Sequence, residues 1–253
     1  MQKFIIGNWK QNPENIEVAT ELLKITEKFG GELVAKNIFV THAVPSIFVG
    51  YLINISKEII LQNISCFEGG SHTGEISAQQ AKNLGINTSL VGHSETRLGP
   101  TNPRGDEDMQ VNLKIKNLIA QNMWTVLCVG EYERDENFKN TIKTQTENCL
   151  KDIPSEKLVN VCIAYEPIWA IGKSALKPAT DEEIVDTIKY IKEFLKEKYQ
   201  EVGEKIPVLY GGSVDENNAK AILNLESVDG LLIGRASSDK EKWAALLQNL
   251  IKN

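Results

Sequence analysis

Three features of this sequence predict an α/β protein built as a (β/α)8 barrel. Short runs of β-branched and other apolar residues alternate with longer amphipathic stretches along the whole chain. The apolar runs are continuous, as is typical of parallel strands that are covered on both faces. The 253 residues accommodate about eight strand–helix units, and such barrels often contain about 250 residues in one domain. A doubly wound open sheet is the alternative, because the pattern alone does not distinguish the two.

The expected elements follow from this alternation. Strands are predicted at residues 3–8, 37–44, 58–64, 88–93, 124–130, 159–166, 207–212 and 229–235. The clearest helical patterns lie at residues 14–29, 106–121, 137–151, 181–199, 215–225 and 239–251, and the weakest at 45–55. Ser77 is a candidate N-cap, Thr180 and Glu183 have capping-box spacing, and residues 213–216 resemble another helix start. No linker interrupts the chain, so one domain is expected over residues 1–253.

Composition excludes several classes of function. The net charge is −6 and no basic cluster stands out, which argues against a nucleic-acid partner. No apolar run approaches the ~20 residues of a membrane span. The four cysteines form no CxxC pair and have no ligand spacing to any histidine, so no metal site is expected. Three of them sit in apolar surroundings typical of buried thiols in a reducing compartment, which indicates a cytoplasmic protein.

Chemically useful residues follow the carboxyl ends of the predicted strands, where a barrel of this kind carries its active site. Lys10 follows the first strand, His93 the fourth, and Glu166 ends the sixth. Each alone is as readily a surface lysine, a structural histidine or a surface acid. An apolar segment, 167–172, follows Glu166 and could cover it, and removal of water makes a carboxylate a stronger base. Asn8 is expected to face the same way as Lys10.

Two glycine turns at the same rim predict a phosphate site. Gly211-Gly212-Ser213 follows the seventh strand and Gly234-Arg235 follows the eighth. Backbone N–H groups at helix starts bind phosphate, and these two loops often do so in barrels. The residues after His93 are expected to begin a short helix, whose N-terminus would keep the imidazole neutral. No dinucleotide fingerprint follows a strand and no nucleophile elbow is present.

From end to end the sequence resembles the triosephosphate isomerase family. The matching segments are GNWK (7–10), TGEIS (73–77), GHSETR (92–97), CVGE (128–131), AYEPIWAIG (164–172), YGGSV (210–214) and DGLLIGRAS (229–237). The resemblance implies a single-domain TIM barrel that interconverts dihydroxyacetone phosphate and D-glyceraldehyde 3-phosphate without a cofactor.

The same resemblance implies residue roles. Glu166 would be the base, His93 the neutral electrophile and Lys10 the cation, with Asn8 and Glu95 as supporting residues. Backbone amides of four residues would hold the substrate phosphate: Gly172, Ser213, Gly234 and Arg235. Thr73 lies in the loop by which family members form homodimers and would approach the active site of the second chain.

The chain departs from the family pattern at two relevant places. The lid sequence runs from Ile171-Gly172 directly into Lys173-Ser174-Ala175, and Arg235 stands where a glycine is usual. These departures keep open an isomerase of a four-carbon sugar phosphate such as erythrulose phosphate. A non-catalytic phosphate-binding barrel is a further alternative, which the presence of Glu166, His93 and Lys10 together disfavours. A lyase or synthase would need a Schiff-base lysine in an apolar strand, and none stands out.

Overall fold

The protein folds as a closed barrel of parallel strands surrounded by helices. The computed structural model describes residues 2–100, 102–171 and 177–252. Over these residues the strands are β1 (Lys3–Asn8), β2 (Ile38–Val44), β3 (Ile59–Leu61), β4 (Thr88–Val91), β5 (Trp124–Val129), β6 (Val161–Tyr165), β7 (Val208–Tyr210) and β8 (Gly230–Ile233). Each pairs in parallel with its neighbours in chain order, and β1 pairs with β8. This closure confirms the (β/α)8 TIM barrel and excludes the open sheet.

The helices follow the strands in alternation. They are α1 (Ile16–Ala35), α2 (Ser46–Leu52), α3 (Ala78–Asn83), α4 (Asp108–Ala120), α5 (Phe138–Cys149), α6 (Asp181–Glu204), α7 (Ala219–Leu223) and α8 (Lys240–Ile251). Short 3-10 turns occupy Ser155–Asn160, Ile168–Ala170 and Arg235–Ser238. Ser77 caps α3, as predicted, and Gln80 completes a capping box there. Thr180 and Glu183 form the capping box of α6 that their spacing predicts. No helix in the described part of the chain is long and apolar enough to cross a bilayer.

Of two further predicted helix starts, one is displaced and one is wrong. The Asp215 carboxylate accepts the N–H groups of Asn217 and Asn218 and its carbonyl accepts the Ala219 N–H, as a helix N-cap does, but regular α7 begins only at Ala219. The residues after His93 form a turn instead of a helix: the N–H groups of Thr96 and Arg97 both donate to the His93 carbonyl. The chain then leaves this turn through a bridge between Arg97 and Asp106.

Alternate residues of each strand face two different cores. The larger core fills the space between strands and helices, with Leu22, Ile115 and Leu246 fully buried. A smaller core inside the barrel contains Ile6, Leu90, Leu209 and Leu232. Because both strand faces are buried, the apolar runs in the sequence are continuous. The four cysteines are free; Cys128, Cys149 and Cys162 are buried and Cys66 is half-buried.

Candidate active site

A cavity of about 550 Å³ opens at the carboxyl ends of the strands. Eight of the predicted site residues line it: Asn8, Lys10, His93, Glu95, Glu166, Ser213, Gly234 and Arg235. They come from the ends of β1, β4, β6, β7 and β8. The parallel barrel therefore brings together groups that lie up to 227 positions apart, between Asn8 and Arg235. Gly172 lies outside the described residues.

The Glu166 carboxylate and the His93 ring form a direct pair on the floor of this cavity. Glu166 Oε1 lies 3.0 Å from His93 Nε2, and Glu166 Oε2 accepts the Ser94 N–H at 3.0 Å. Both side chains are almost completely buried. Burial alone would raise the pKa of Glu166, but the interactions with His93 and the Ser94 N–H outweigh it and hold that pKa below its ordinary value. The carboxylate is thus kept ionised.

The hydrogen bonds of His93 define its tautomer. The Glu95 N–H donates to His93 Nδ1 at 3.2 Å, so Nδ1 carries no proton and Nε2 carries it toward Glu166. The ring is therefore a neutral imidazole whose Nε2–H faces the cavity. A helix N-terminus was expected to keep this ring neutral, but the turn at residues 94–96 supplies a single backbone N–H to it instead.

Lys10 is held in an uncommon backbone conformation. Its φ is +54°, in the left-handed region that non-glycine residues seldom adopt. Asn8 Oδ1 accepts the Lys10 N–H at 3.0 Å, and Gln62 Nε2 donates to the Lys10 carbonyl at 2.8 Å. The Lys10 ammonium pairs with Glu95 Oε1 at 2.5 Å. Asn8 thus lies beside Lys10, as its spacing predicts, and Glu95 orients the charge.

Glycines allow the walls of the cavity to approach Glu166. A Cβ at position 211 would lie 3.1 Å from Glu166 Cγ. A Cβ at position 130 would lie 1.7 Å from the Glu166 carbonyl oxygen, an impossible contact. Gly211 N–H also donates to the Tyr165 carbonyl at 2.8 Å. A side chain at position 211 would therefore press against the candidate base.

The segment after Glu166 starts in a cluster of polar contacts. Glu131 Oε1 accepts hydrogen bonds from Trp169 Nε1 at 2.8 Å and from the Tyr165 hydroxyl at 2.9 Å. Burial raises the pKa of Glu131, although these donors and the nearby Arg134 lower it in part. The Ser213 hydroxyl donates to the Ala170 carbonyl at 2.8 Å and joins this segment to the loop after β7.

Sequence reasoning missed Gln62 and Glu131. Gln62 was expected inside a strand running to residue 64, but β3 ends at Leu61, so Gln62 stands at the rim. The sequence signal that could have placed Gln62 at the rim was a polar residue directly after three apolar residues. Glu131 belongs to the CVGE segment, yet its contacts to Tyr165 and Trp169 cross 34 and 38 positions of sequence, and no local pattern indicates them.

Thr73 lies outside the cavity. Thr73 is exposed in the loop between β3 and α3 and does not line the site of its own chain. In the same loop the Phe67 and His72 rings stack with centroids 3.7 Å apart.

Over the described residues no group of three or more His, Cys, Asp or Glu side chains is arranged to hold a metal ion.

Fold and cavity together define a class: a (β/α)8-barrel protein with an acid–base pair and a lysine at the carboxyl ends of its strands. A family model described as triosephosphate isomerase matches residues 3–250. The chain belongs to the triosephosphate isomerase family.

Individual relatives agree with this assignment along the full chain. Triosephosphate isomerase of Alkaliphilus oremlandii (strain OhILAs) is 35% identical over 98% of this chain and 99% of its own length. That of Francisella philomiragia subsp. philomiragia is also 35% identical, over 100% of this chain and 98% of its own. Among solved structures, the triosephosphate isomerase of Bartonella henselae superposes with a TM-score of 0.83 at 29% identity and 100% coverage of both chains.

Proposed function

We propose that this protein interconverts dihydroxyacetone phosphate and D-glyceraldehyde 3-phosphate through an enediolate, as an aldose–ketose isomerase of glycolysis and gluconeogenesis. The observation that carries the proposal is the pair of His93 Nε2–H and Glu166, 3.0 Å apart on the floor of one cavity. Family membership supports the same reaction. None of the related proteins reported above favours a four-carbon substrate or a non-catalytic barrel.

Glu166 is the base that moves a proton between the two adjacent carbons of the substrate. Its carboxylate is ionised, and both oxygens are occupied, by His93 and by the Ser94 N–H. To reach a carbon atom, it must exchange at least one of these partners for the substrate. A substrate oxygen that accepts the His93 Nε2–H releases Oε1 in the same event.

His93 and Lys10 stabilise the charge that develops on the substrate oxygens. A neutral imidazole donates its Nε2–H to an enediolate oxygen as a hydrogen bond and does not transfer that proton to Glu166. The Lys10 ammonium adds positive charge nearby, and Asn8 and Glu95 hold its backbone and its ammonium. These roles require the arrangement of charges to be fixed before the substrate arrives.

The phosphate group is held by backbone N–H groups of Ser213, Gly234 and Arg235, together with Gly172. Gly234 directly precedes the 3-10 turn Arg235–Ser238, and the N-terminal end of such a turn presents unpaired N–H groups. The Arg235 side chain has no hydrogen bond or ion pair within the described residues, and Lys10 is paired with Glu95. Arg235 therefore adds an uncompensated positive charge at the cavity rim.

The active form is a homodimer in which Thr73 approaches the site of the second chain. Support comes from the exposure of Thr73 and of Phe67 in the loop between β3 and α3. Sedimentation equilibrium should give the mass of two 28.2 kDa chains. A single chain at micromolar concentration would contradict the dimer.

A cytoplasmic location is proposed from the four free thiols, three of them buried.

Turnover on D-glyceraldehyde 3-phosphate in a coupled assay tests the reaction, with D- and L-erythrulose phosphates measured beside it. Fast conversion of the triose, with much slower conversion of either tetrose, is the expected result. Faster conversion of a tetrose would overturn the substrate assignment. Binding of phosphate without turnover of any substrate would identify a non-catalytic barrel.

A further inference from the structure

A second cavity lies at the opposite end of the barrel, where the strands begin. Its volume is about 410 Å³, and it shares no lining residue with the catalytic cavity. Ile6, Ile60 and Val126 form its apolar floor inside the barrel. This size and apolar lining are typical of sites that take small molecules. We refer to it as the N-terminal cavity.

Aromatic rings form the walls of the N-terminal cavity. Phe4 and Phe39 meet edge to face, with centroids 6.4 Å apart and an interplanar angle of 74°. Trp124 lines the cavity from β5. Phe39 and Trp124 are 37% and 43% exposed, so ring surface is available to a ligand. Aromatic faces attract cations as well as apolar groups.

Glu58 is the unpaired charge of this cavity. Of the two charged side chains in its lining, Lys57 donates to the Ile53 carbonyl at 2.9 Å. The Glu58 carboxylate has no hydrogen bond or ion pair in the described part of the chain. Partial burial raises the pKa of Glu58. A cation bound here would therefore gain a partner that the protein does not provide.

The backbone of Glu58 is fixed in place. Its carbonyl accepts the His42 N–H at 2.9 Å and the Thr41 hydroxyl at 2.8 Å. The carboxylate thus projects from an anchored residue directly before β3. Glu58 is exposed at the mouth of the cavity, so an anionic ligand would meet its negative charge and that of a protein with net charge −6.

We propose that the N-terminal cavity binds a small organic cation with an aromatic or alkyl body. Glu58 pairs with the positive group, and Phe4, Phe39 and Trp124 hold the apolar body. The site is separate from the isomerase cavity, so ligand binding and turnover can be measured independently.

Calorimetric titration of the whole protein with benzamidinium tests this proposal, with benzamide as the neutral molecule of nearly the same shape. Benzamidinium should bind saturably with a Kd of about 1 mM or below, and benzamide at least about fivefold more weakly. Glu58→Gln should weaken benzamidinium binding about fivefold and leave benzamide unchanged. Glu197→Gln, which removes an exposed acid on α6, should change neither.

Phe39→Ala gives a second and independent test, because it removes a wall of the cavity. It should weaken the binding of both molecules. Three results would overturn the proposal: no saturable binding of benzamidinium up to about 10 mM, equal affinities for benzamidinium and benzamide, or full affinity in Glu58→Gln. Triose turnover by Glu58→Gln should equal that of the wild type, which separates this proposal from the isomerase assignment.

Discussion

At the scale of single residues, Lys10 adopts a backbone conformation that is unfavourable for a non-glycine residue. A left-handed backbone costs a non-glycine residue about 1–2 kcal/mol, and Lys10 adopts it with φ +54°. Two side chains compensate: Asn8 accepts the Lys10 N–H, and Gln62 donates to its carbonyl. Gln62 Nε2 also donates to the Ala43 carbonyl at 3.0 Å. Gln62 therefore positions Lys10 from the end of β3, which is separated from β1 by β2.

Replacing Gln62 by leucine tests this role. Gln62→Leu keeps the side chain's size but removes both hydrogen bonds, each of which contributes about 1 kcal/mol. We expect kcat/KM to fall about tenfold because the Lys10 ammonium is less well placed. Gln79→Leu, which removes an exposed side-chain hydrogen bond on α3, is the matched control. Equal kcat/KM in Gln62→Leu and wild type would show that Lys10 keeps its place unaided.

At the scale of elements, the described part of the segment after Glu166 is attached at two points. The turn Ile168–Ala170 contacts Glu131 through the Trp169 indole N–H. It contacts the loop after β7 through the Ser213 hydroxyl and the Ala170 carbonyl. We propose that this segment closes over a bound substrate, and the two contacts then hold the residues from which closure begins. Residues 172–176, which follow in the sequence, lie outside the described part of the chain.

Ser213→Ala removes one of these anchors and keeps the backbone N–H that we assign to phosphate binding. One hydrogen bond of about 1 kcal/mol corresponds to roughly a fivefold effect. We expect kcat to fall by about that factor, KM to stay nearly constant, and release of inorganic phosphate per turnover to rise. Ser238→Ala, which removes an exposed hydroxyl contact to the Arg235 carbonyl, is the control. An unchanged phosphate release in Ser213→Ala would exclude this anchor from lid function.

The elements also show what a sequence can predict. Each strand was found because burial on both faces makes its apolar run continuous, and Glu166 at the end of β6 followed from that run. The turns were harder. The N–H groups of Thr96 and Arg97 bond to the His93 carbonyl and form only a turn, whereas N–H groups bonded to the Asp215 carboxylate lead into α7. Local composition does not distinguish these two uses of the same donors.

At the scale of the whole molecule, His42 joins the two ends of the chain. Its ring is fully buried between Trp9 and Trp243, with centroids 5.1 Å and 5.3 Å away. Its Nε2 lies 2.8 Å from the Thr26 hydroxyl, which also accepts the Trp243 indole N–H. Burial lowers the pKa of His42 to about 3. The ring is thus neutral in the folded protein throughout the usual pH range.

This buried histidine makes folding stability depend on pH. In the unfolded chain a histidine takes up a proton below about pH 6.5, whereas folded His42 stays neutral down to about pH 3. Stability is therefore lost as pH falls from about 6.5. The loss should be roughly 2 kcal/mol between pH 6.5 and pH 5, where most carboxylates remain ionised.

Urea unfolding at several pH values measures this loss. His42→Phe keeps an aromatic ring between the two tryptophans and should remove most of the slope between pH 6.5 and pH 5. His72→Phe makes the same substitution in the loop between β3 and α3 and serves as the control. If His42→Phe retains the full slope, other groups cause the acid sensitivity.

At the same scale, the sequence predicted which residues share the rim of the barrel but did not predict the contacts that set their protonation. The closure of β1 on β8 brings Lys10 near Gly234, and the family resemblance placed both at one rim. The contacts that set protonation depend on atomic geometry: the His93 tautomer rests on the Glu95 N–H, and the ionised state of Glu166 on His93 and Ser94. His93 and Glu166 are 73 positions apart, so no local sequence pattern indicates that their side chains pair.

The most direct test of the account compares wild type with Glu166→Ala. Turnover of D-glyceraldehyde 3-phosphate should fall by about three orders of magnitude, because loss of a general base costs roughly 10²–10⁴-fold. The affinity for inorganic phosphate should change little, and Glu182→Gln, an exposed acid on α6, should behave as wild type. Turnover by Glu166→Ala within a few fold of the wild-type rate would contradict the assignment of Glu166 as the base.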